Sequence, residues 1–269
     1  MNNEIIEYYK KIDFSFWEYE IQFLQDQKIQ HSNEPDNNEL KYIHNVKIFS
    51  TYLQLAEIFC INILVLMYND LRWLFSDTKK FEVELKQILD NNVELKRFLN
   101  HFLDNFVFGI ADKNIISNIE SKKEIYFGIL SEFLKNRFEY KSFLNAYKHS
   151  FRVFSDNTDI YMSFGNNRIT QNFDSVITYF DYMNEKDNNL KNTGKFLIRE
   201  CRIGFSSEYL YIQMNFILNM LQNARKIVLN DGTDILIETL ILENEDLEIY
   251  RSNFGFFHFK EEKFIANNL

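Results

Sequence analysis

Residues 143–154 hold the side chains whose types and spacing best fit a chemical role. They read Phe-Leu-Asn-Ala-Tyr-Lys-His-Ser-Phe-Arg-Val-Phe. In a helix, Asn145, His149 and Arg152 occupy positions i, i+4 and i+7, so the amide, the imidazole and the guanidinium share one face. We expect the face turned toward the core to carry Leu144, Tyr147, Phe151 and Phe154.

Two lysines extend this face into what we call the 141–152 strip, which comprises Lys141, Asn145, Lys148, His149 and Arg152. A histidine with a pKa near neutrality moves a proton. A neighbouring cation holds a phosphate and stabilises charge that develops in a transition state. Cleavage of RNA needs little else, because the RNA 2′-hydroxyl is itself the nucleophile. The strip therefore predicts a catalytic set of His149, Arg152 and Asn145.

Two other interpretations fit the same residues. In the first, Lys141, Lys148 and Arg152 bind a phosphate-bearing ligand or an acidic partner without any catalysis. In the second, Asn145 and His149 satisfy buried polar groups where their helix meets the next segment, which is a purely structural role.

No pattern in the chain predicts a metal or a cofactor. The five histidines never form the Glu-x-x-His spacing of metal sites in helical bundles. His101 and Asp104 form a lone pair at i, i+3, which we interpret as a pair on a helix surface. Glycine-rich phosphate loops are absent from the sequence. Cys60 and Cys201 lie far apart in apolar or mixed runs, which predicts buried or unreactive thiols.

Composition limits the classes of fold and function. The chain has 269 residues, of which 46% are hydrophobic, enough for a substantial core. One proline and seven glycines are too few for a sandwich or barrel with many tight turns. The net charge of −9 excludes nucleic-acid binding through the overall field, so only a local basic patch remains for such binding.

Apolar spacing predicts the elements that position the strip. Four long amphipathic helices are expected over residues 3–29, 39–75, 76–108 (with a break near 90–92) and 121–154. Beyond residue 154 the pattern changes to irregular or hairpin structure, a helix ending near Leu229 and a strand within 247–259. The prediction is a mostly α protein with a long antiparallel helical bundle over 1–155. A smaller C-terminal α+β addition over 156–269 is expected to pack on this bundle.

The most apolar stretch, residues 58–68, is shorter than the roughly 20 residues that span a bilayer. It predicts a buried central helix rather than a membrane segment. The acidic N-terminus, Met-Asn-Asn-Glu-Ile-Ile-Glu, does not fit a signal peptide. We therefore expect a cytoplasmic protein without a membrane partner.

The Asn-x-x-Lys-His segment, late in a four-helix arrangement, resembles the signature of the HEPN superfamily of helical-bundle proteins. That signature is an Arg followed after four to six residues by a His, often with a polar residue directly after the Arg. Asn145 matches the polar position and His149 matches the His. Residues 142–144 are Ser, Phe and Leu, so the Arg of the signature is missing, and Arg152 or Lys141 is left as a substitute.

The resemblance implies an antiparallel bundle that forms a homodimer with the motif helices facing each other. Family functions include metal-independent ribonuclease toxins, nucleotide-binding partners of nucleotidyltransferases, and non-catalytic domains. Because the Arg is missing, we predict a non-catalytic HEPN-like interaction protein or a protein that binds a nucleotide or other phosphate ligand. The alternative is a metal-independent HEPN-like ribonuclease of the toxin or phage-defence type. The partners expected are a second copy of the chain, RNA or a nucleotide, or another protein.

Overall fold

Helices dominate the part of the chain that the computed structural model describes, as the sequence predicts. The described residues are 1–32, 38–75, 78–107, 123–148, 153–155, 160–164, 167–171, 175–183, 195–230 and 257–267. Side chains are described for residues 1–29, 40–74, 80–107, 124–144, 146, 147, 175–181 and 200–230.

The helices form a bundle, and their bounds follow in chain order. They are α1 (Asn3–Lys11), α2 (Ser15–Ser32), α3 (Asn38–Tyr68), a 3₁₀ helix (Leu71–Phe75), α4 (Thr78–Asp90), α5 (Asn92–Phe102), a π-helical turn (Leu103–Val107), α6 (Lys123–Glu139), α7 (Lys141–Lys148) and α8 (Ser207–Leu229).

The described strands all lie after α7, and all but β1 fall within residues 156–269, the predicted α+β addition. They are β1 (Val153–Ser155), β2 (Ile160–Phe164), β3 (Asn167–Gln171), β4 (Ser175–Met183), β5 (Lys195–Phe205) and β6 (Phe257–Asn267). Four of them form an antiparallel sheet in the order β1-β4-β5-β6. The other two, β2 and β3, pair as a separate antiparallel hairpin.

The chain divides into two compact units. The first contains Met1–Gln22, Tyr52–Glu139 and Ile212–Asn244, and the second contains Phe23–Thr51, Tyr140–Tyr211 and Glu245–Leu269. Helices α2, α3 and α8 each contribute residues to both units. The division into residues 1–155 and 156–269 stays a prediction.

Aromatic side chains form the core of the first unit. The ring of Phe59 on α3 meets Phe102 of α5 edge to face at 5.7 Å and Phe133 of α6 at 5.9 Å. Tyr126 of α6 stacks on Phe216 of α8 at 5.3 Å. Such ring pairs add about 0.5–1.5 kcal/mol each beyond the burial of their area. The phenylalanine-rich composition is therefore used in helix packing.

The predicted first helix is divided in two. Ile12 adopts an extended backbone with ψ 132°, which ends α1, although its N–H still bonds to the Tyr8 carbonyl at 3.0 Å. The Asp13 carboxylate then accepts a hydrogen bond from the Ser15 N–H at 2.9 Å. This bond satisfies one of the open N–H groups at the start of α2. A single helix over 3–29 is therefore wrong, because a local cap interrupts it.

The second predicted helix ends earlier than residue 75. Asn69 takes the left-handed conformation with φ 51°. The Asp70 N–H bonds to the Val65 carbonyl at 3.2 Å and the Asn69 N–H to the Leu66 carbonyl at 3.4 Å, the two bonds of a Schellman motif. The Asn69 side-chain oxygen also accepts from the Asn2 N–H at 2.9 Å. Helix α3 consequently stops at Tyr68, and a short 3₁₀ helix follows.

Two sequence signals correctly mark other helix ends. Asn91 caps α5, since its side-chain oxygen accepts from the N–H groups of Val93 and Glu94 at 3.1 and 3.3 Å. This confirms the break expected near residues 90–92. Later in the chain, α8 ends at Leu229, and Asn230 adopts a left-handed backbone conformation with φ 55°. The expected stop after Leu229 is thereby confirmed.

A continuous helix up to Phe154 is wrong. Helix α7 ends at Lys148, and Val153, Phe154 and Ser155 form strand β1. This strand pairs with β4 in antiparallel register, with Phe154 opposite Thr178. Pairing with β4 provides hydrogen-bond partners for the backbone N–H and C=O groups of β1. In a longer α7, the same groups would need partners within the helix. Phe154 therefore does not belong to the apolar face of the helix that precedes it.

Candidate functional site

The candidate site begins with the packing of α7 on strand β4 in the second unit. The Ser142 hydroxyl and the Tyr179 hydroxyl are hydrogen-bonded at 2.9 Å. The ring of Phe143, which is fully buried, meets the Tyr179 ring edge to face at 5.6 Å. Together these two contacts fix one side of α7 to the sheet.

Tyr179 anchors the helix as a neutral group. Burial raises the pKa of its phenol well above the ordinary value, and the neighbouring Cys201 thiol raises that pKa further. A phenol that stays protonated throughout the physiological range is a constant hydrogen-bonding partner for Ser142. Tyr179 therefore serves as a structural contact and not as an acid in proton transfer.

Phe49 of α3 contacts three aromatic rings, one of them Phe143 of α7. Its ring lies 4.9 Å from Phe143 and 5.4 Å from Tyr140, both edge to face, and it stacks on Phe205 of β5 at 5.1 Å. All four side chains are buried. Truncation of any of them would leave a cavity under α7, so the orientation of this helix is set by aromatic packing.

The structure places three members of the 141–152 strip on one helix. Lys141, Asn145 and Lys148 belong to α7 at positions i, i+4 and i+7, which share a helix face. The side chain of Lys141 is half-buried. Leu144, predicted to face the core, is indeed buried.

The remaining strip residues fall outside the description. His149 and Arg152 lie outside the described residues, as does Phe151, and nothing is described of the Asn145 and Lys148 side chains. That the His149 imidazole and the Arg152 guanidinium lie on the same face as Lys141 and Lys148 therefore stays a prediction. The same holds for the catalytic set His149, Arg152 and Asn145, and for the ligand-binding set Lys141, Lys148 and Arg152.

His101 and Cys60 both occupy positions with a structural explanation. His101 lies next to Asn105, whose side-chain amide donates to the His101 carbonyl at 2.8 Å and lies 3.3 Å from His101 Nδ1. No group of three His, Cys, Asp or Glu side chains there is arranged to hold a metal ion. Cys60 is fully buried, and this burial raises its thiol pKa to about 12. Cys60 is accordingly a core side chain rather than a nucleophile.

The first unit contains a buried polar cluster that the sequence did not reveal. The Tyr52 hydroxyl donates to Gln213 Oε1 at 2.7 Å and accepts from Asn136 Nδ2 at 2.9 Å. One residue beyond Asn136, the guanidinium of Arg137 pairs with the Glu57 carboxylate at 3.2 Å. An arginine inside a helical pattern ordinarily indicates a solvated face, so no sequence signal distinguished Arg137.

A second feature that the sequence analysis missed is an exposed row of aromatic side chains on α2. Phe16, Tyr19 and Phe23 are 61%, 75% and 57% exposed and occupy positions i, i+3 and i+7. We call these three residues the α2 aromatic stripe. The sequence signal for this stripe is a second apolar row in residues 15–32. This row is distinct from the buried side of the helix, which includes Ile21 and Leu24.

Helix α3 is the one described helix that is long and apolar enough to cross a membrane, over Leu40–Tyr68. In its most apolar window, 78% of the residues are buried inside the protein. Core helices of folded proteins share this combination of length and composition. The interpretation of residues 58–68 as part of a buried helix agrees with this finding.

Comparison with known proteins adds no assignment. No protein family, curated protein or solved structure matches this chain. The class that the fold defines is therefore a mostly helical bundle protein with an antiparallel sheet. The HEPN resemblance stays a prediction.

Proposed function

We propose that this protein is a non-catalytic, HEPN-like helical binding protein whose 141–152 strip takes a phosphate-bearing ligand such as a nucleotide. The observation that carries the proposal is the anchoring of α7 by Tyr179 and by Phe49. Helix α7 is held on the side of Ser142 and Phe143, and it carries both lysines of the strip. A fixed helix presents cations with little loss of entropy on binding.

Charge supports a ligand of this class. The chain carries a net charge of −9, so a general attraction for phosphates is absent. Lys141, Lys148 and Arg152 are concentrated within twelve residues and supply the local positive charge that binding requires. Lysine and arginine side chains are the usual ligands of phosphate oxygens in proteins.

The direct test is calorimetric titration of the purified protein with AMP and, separately, with inorganic phosphate. We expect AMP to bind, and the double variant Lys148→Gln/Arg152→Gln to bind it about tenfold more weakly, the loss of about 1.4 kcal/mol. Lys135→Gln is the matched control, because Lys135 is an exposed lysine of the neighbouring helix α6. Equal binding by all three proteins, or no binding by the wild type, would contradict the proposal.

The homodimer expected from the HEPN resemblance belongs to this proposal. The family arrangement would bring two copies of α7 together and double the number of cations around one ligand. Sedimentation equilibrium at micromolar concentration distinguishes a dimer from a single 32.6 kDa chain. A single-chain mass across that range would remove the dimer from the proposal.

A metal-independent ribonuclease is the second candidate, favoured by the position of His149 directly after the anchored helix α7 in the sequence. In this candidate, His149 transfers the proton, Arg152 stabilises the phosphorane and Asn145 positions the groups. Cleavage of single-stranded RNA in EDTA, with 2′,3′-cyclic phosphate ends, would establish it. His149→Ala should abolish that cleavage, whereas His101→Ala, at an exposed histidine of α5, should not.

A further inference from the structure

Arg137 of α6 is a buried cation whose hydrogen-bond donors are only partly used. Its guanidinium contacts the Glu57 carboxylate of α3 through a single pair of atoms, Nη2 and Oε2, at 3.2 Å. The other two guanidinium nitrogens, Nε and Nη1, are buried and have no hydrogen-bond partner among the described residues. Buried N–H groups of folded proteins are nearly always paired, so these two nitrogens indicate that Arg137 binds a further acceptor.

The shape of the guanidinium defines what that acceptor should be. A guanidinium is a planar fork, and each of its two forked edges presents two parallel N–H groups that match the two oxygens of a carboxylate. Nη2 has one N–H group on each edge, and Glu57 Oε2 contacts this nitrogen alone. The opposite edge therefore keeps two N–H groups, one from Nη2 and one from Nε or Nη1, for the oxygens of a ligand.

The neighbouring polar groups add donors rather than acceptors. Burial raises the pKa of the Cys60 thiol to about 12, and the charge of Arg137 opposes that rise, so the guanidinium acts on a thiol that stays neutral. Asn136, the residue before Arg137, donates to the Tyr52 hydroxyl, which in turn donates to Gln213 Oε1. Gln213 Nε2 is buried without a partner among the described residues. The spare polar atoms of these described residues are thus nitrogens, and a ligand must bring oxygens.

Charge and access limit the ligand to a small monoanion. Burial of charge is costly unless each charge is balanced, and one guanidinium balances one negative charge, so a phosphate dianion is disfavoured. A carboxylate has the required planar shape and charge, and the contact with Glu57 shows that the guanidinium accepts this group. The Arg137 side chain is 4% exposed and that of Glu57 34%. Solvent therefore reaches this pair from the side of Glu57, which is the route for a small ligand.

We propose that Arg137 is the centre of a buried binding site for a small carboxylate, which pairs with the open edge of the guanidinium in competition with Glu57. Two carboxylates then share one cation, so each weakens the binding of the other. All residues of this site belong to the first unit, whereas the 141–152 strip belongs to the second. The site is therefore independent of the proposed function of the strip.

The test is thermal unfolding of the full-length protein in formate, with chloride as the reference anion at constant ionic strength. A ligand that binds the folded state raises the unfolding temperature, and we expect a rise that saturates with a Kd of about 1 mM, close to the limit for so small a ligand. Arg137→Met should lose this rise, whereas Arg97→Met, at an arginine of α5 whose side chain is 81% exposed, should keep it. An equal rise in Arg137→Met, or no rise in the wild type, would overturn the proposal.

Two further variants keep the test decisive if Arg137→Met does not fold. Glu57→Gln removes the competing carboxylate and should bind formate about tenfold more tightly than the wild type. A general effect of formate on stability would act on both proteins alike, so equal affinities would refute the competition and with it the proposal. Lys148→Gln/Arg152→Gln should bind formate as the wild type does. Loss of the formate effect in this variant would assign the anion to the 141–152 strip and overturn the Arg137 site.

Discussion

The Tyr52 hydroxyl and the Gln213 side-chain oxygen are hydrogen-bonded at 2.7 Å although 161 residues separate them in the sequence. The same hydroxyl accepts a hydrogen bond from Asn136 at 2.9 Å. Tyr52 and Gln213 are fully buried and Asn136 nearly so. One phenol thus connects α3, α6 and α8 inside the first unit, and several predictions depend on such buried contacts.

Removal of this hydroxyl should destabilise the protein markedly. Tyr52→Phe keeps the ring but leaves buried amide groups of Gln213 and Asn136 without their partner, which costs about 1–3 kcal/mol in the free energy of unfolding. Urea unfolding followed by circular dichroism measures this loss. Tyr19→Phe removes the hydroxyl of an exposed tyrosine and should leave the unfolding midpoint unchanged. Equal midpoints for Tyr52→Phe and the wild type would contradict the prediction.

The ion pair of Arg137 and Glu57 should respond unequally to removal of its two members. The Arg137 side chain is 4% exposed, whereas that of Glu57 is 34% exposed. Glu57→Gln leaves a buried guanidinium without its counter-charge and should lower stability by about 3 kcal/mol. Arg137→Met leaves only a carboxylate that water already reaches, so the loss should be at most about 1 kcal/mol.

Urea unfolding of the two variants checks the order, with Lys10→Met as a control at the exposed pair with Glu7. The control should unfold with the wild type, because exposed ion pairs contribute little. If Arg137→Met is the more destabilised variant, burial does not determine the energetics of this pair.

The left-handed residues at the ends of α3 and α8 should prefer glycine over alanine. Asn230→Ala places a Cβ in a conformation with φ 55° and should lower stability by about 1 kcal/mol, whereas Asn230→Gly should not. At position 69, by contrast, the glycine variant should also be less stable than the wild type, because it lacks the side-chain oxygen that accepts a hydrogen bond from the Asn2 N–H. Thermal unfolding of the three variants separates backbone strain from the loss of this bond. Glycine and alanine variants of equal stability at position 230 would refute the argument from φ.

The pKa of the Asp70 carboxylate should be unusually low. It accepts hydrogen bonds from the Arg72 side chain at 2.7 and 2.9 Å and from the Arg72 N–H at 2.9 Å. These bonds lower the pKa of Asp70 to about 2, and the side-chain bonds are the larger cause. Because the folded pKa lies below the unfolded value of about 3.9, the stabilisation is present above pH 4 and is lost as the pH falls through about 2.

NMR titration of the Asp70 carboxyl carbon measures this pKa directly. In Arg72→Leu the pKa should rise toward about 3.9, and the remaining backbone bond should keep it from reaching that value. An identical titration curve in Arg72→Leu would mean that the guanidinium does not hold the carboxylate.

Local signals in the sequence were sufficient for part of this fold. Asn91 and Asn230 mark helix ends because a cap or a left-handed residue needs only its immediate neighbours. The mostly helical class followed from apolar spacing and from the scarcity of proline and glycine. The break at Ile12 was missed, because the apolar pattern continues on both sides of it.

Features that depend on distant residues were not predictable. Val153 and Phe154 continue the apolar pattern of α7, yet they pair with Tyr179 and Thr178 of β4. Arg137 is buried on α6, which packs against α3, α5 and α8, and periodicity alone does not indicate these neighbours. In the 141–152 strip, spacing placed Lys141, Asn145 and Lys148 on one helix, and the contact of Ser142 with Tyr179 that holds this helix came only from the structure.

The pairing of β5 with β6 has a consequence for synthesis on the ribosome. Strand β5 lies beside β4, which precedes it, and its other edge is covered by Phe257–Asn267, more than fifty residues later. While those residues are still inside the ribosomal exit tunnel, the nascent chain exposes an eleven-residue strand with an unpaired edge. Such an edge readily pairs with other chains. The yield of native protein should therefore depend on how quickly the last strand emerges, and on chaperones that cover β5 until it does.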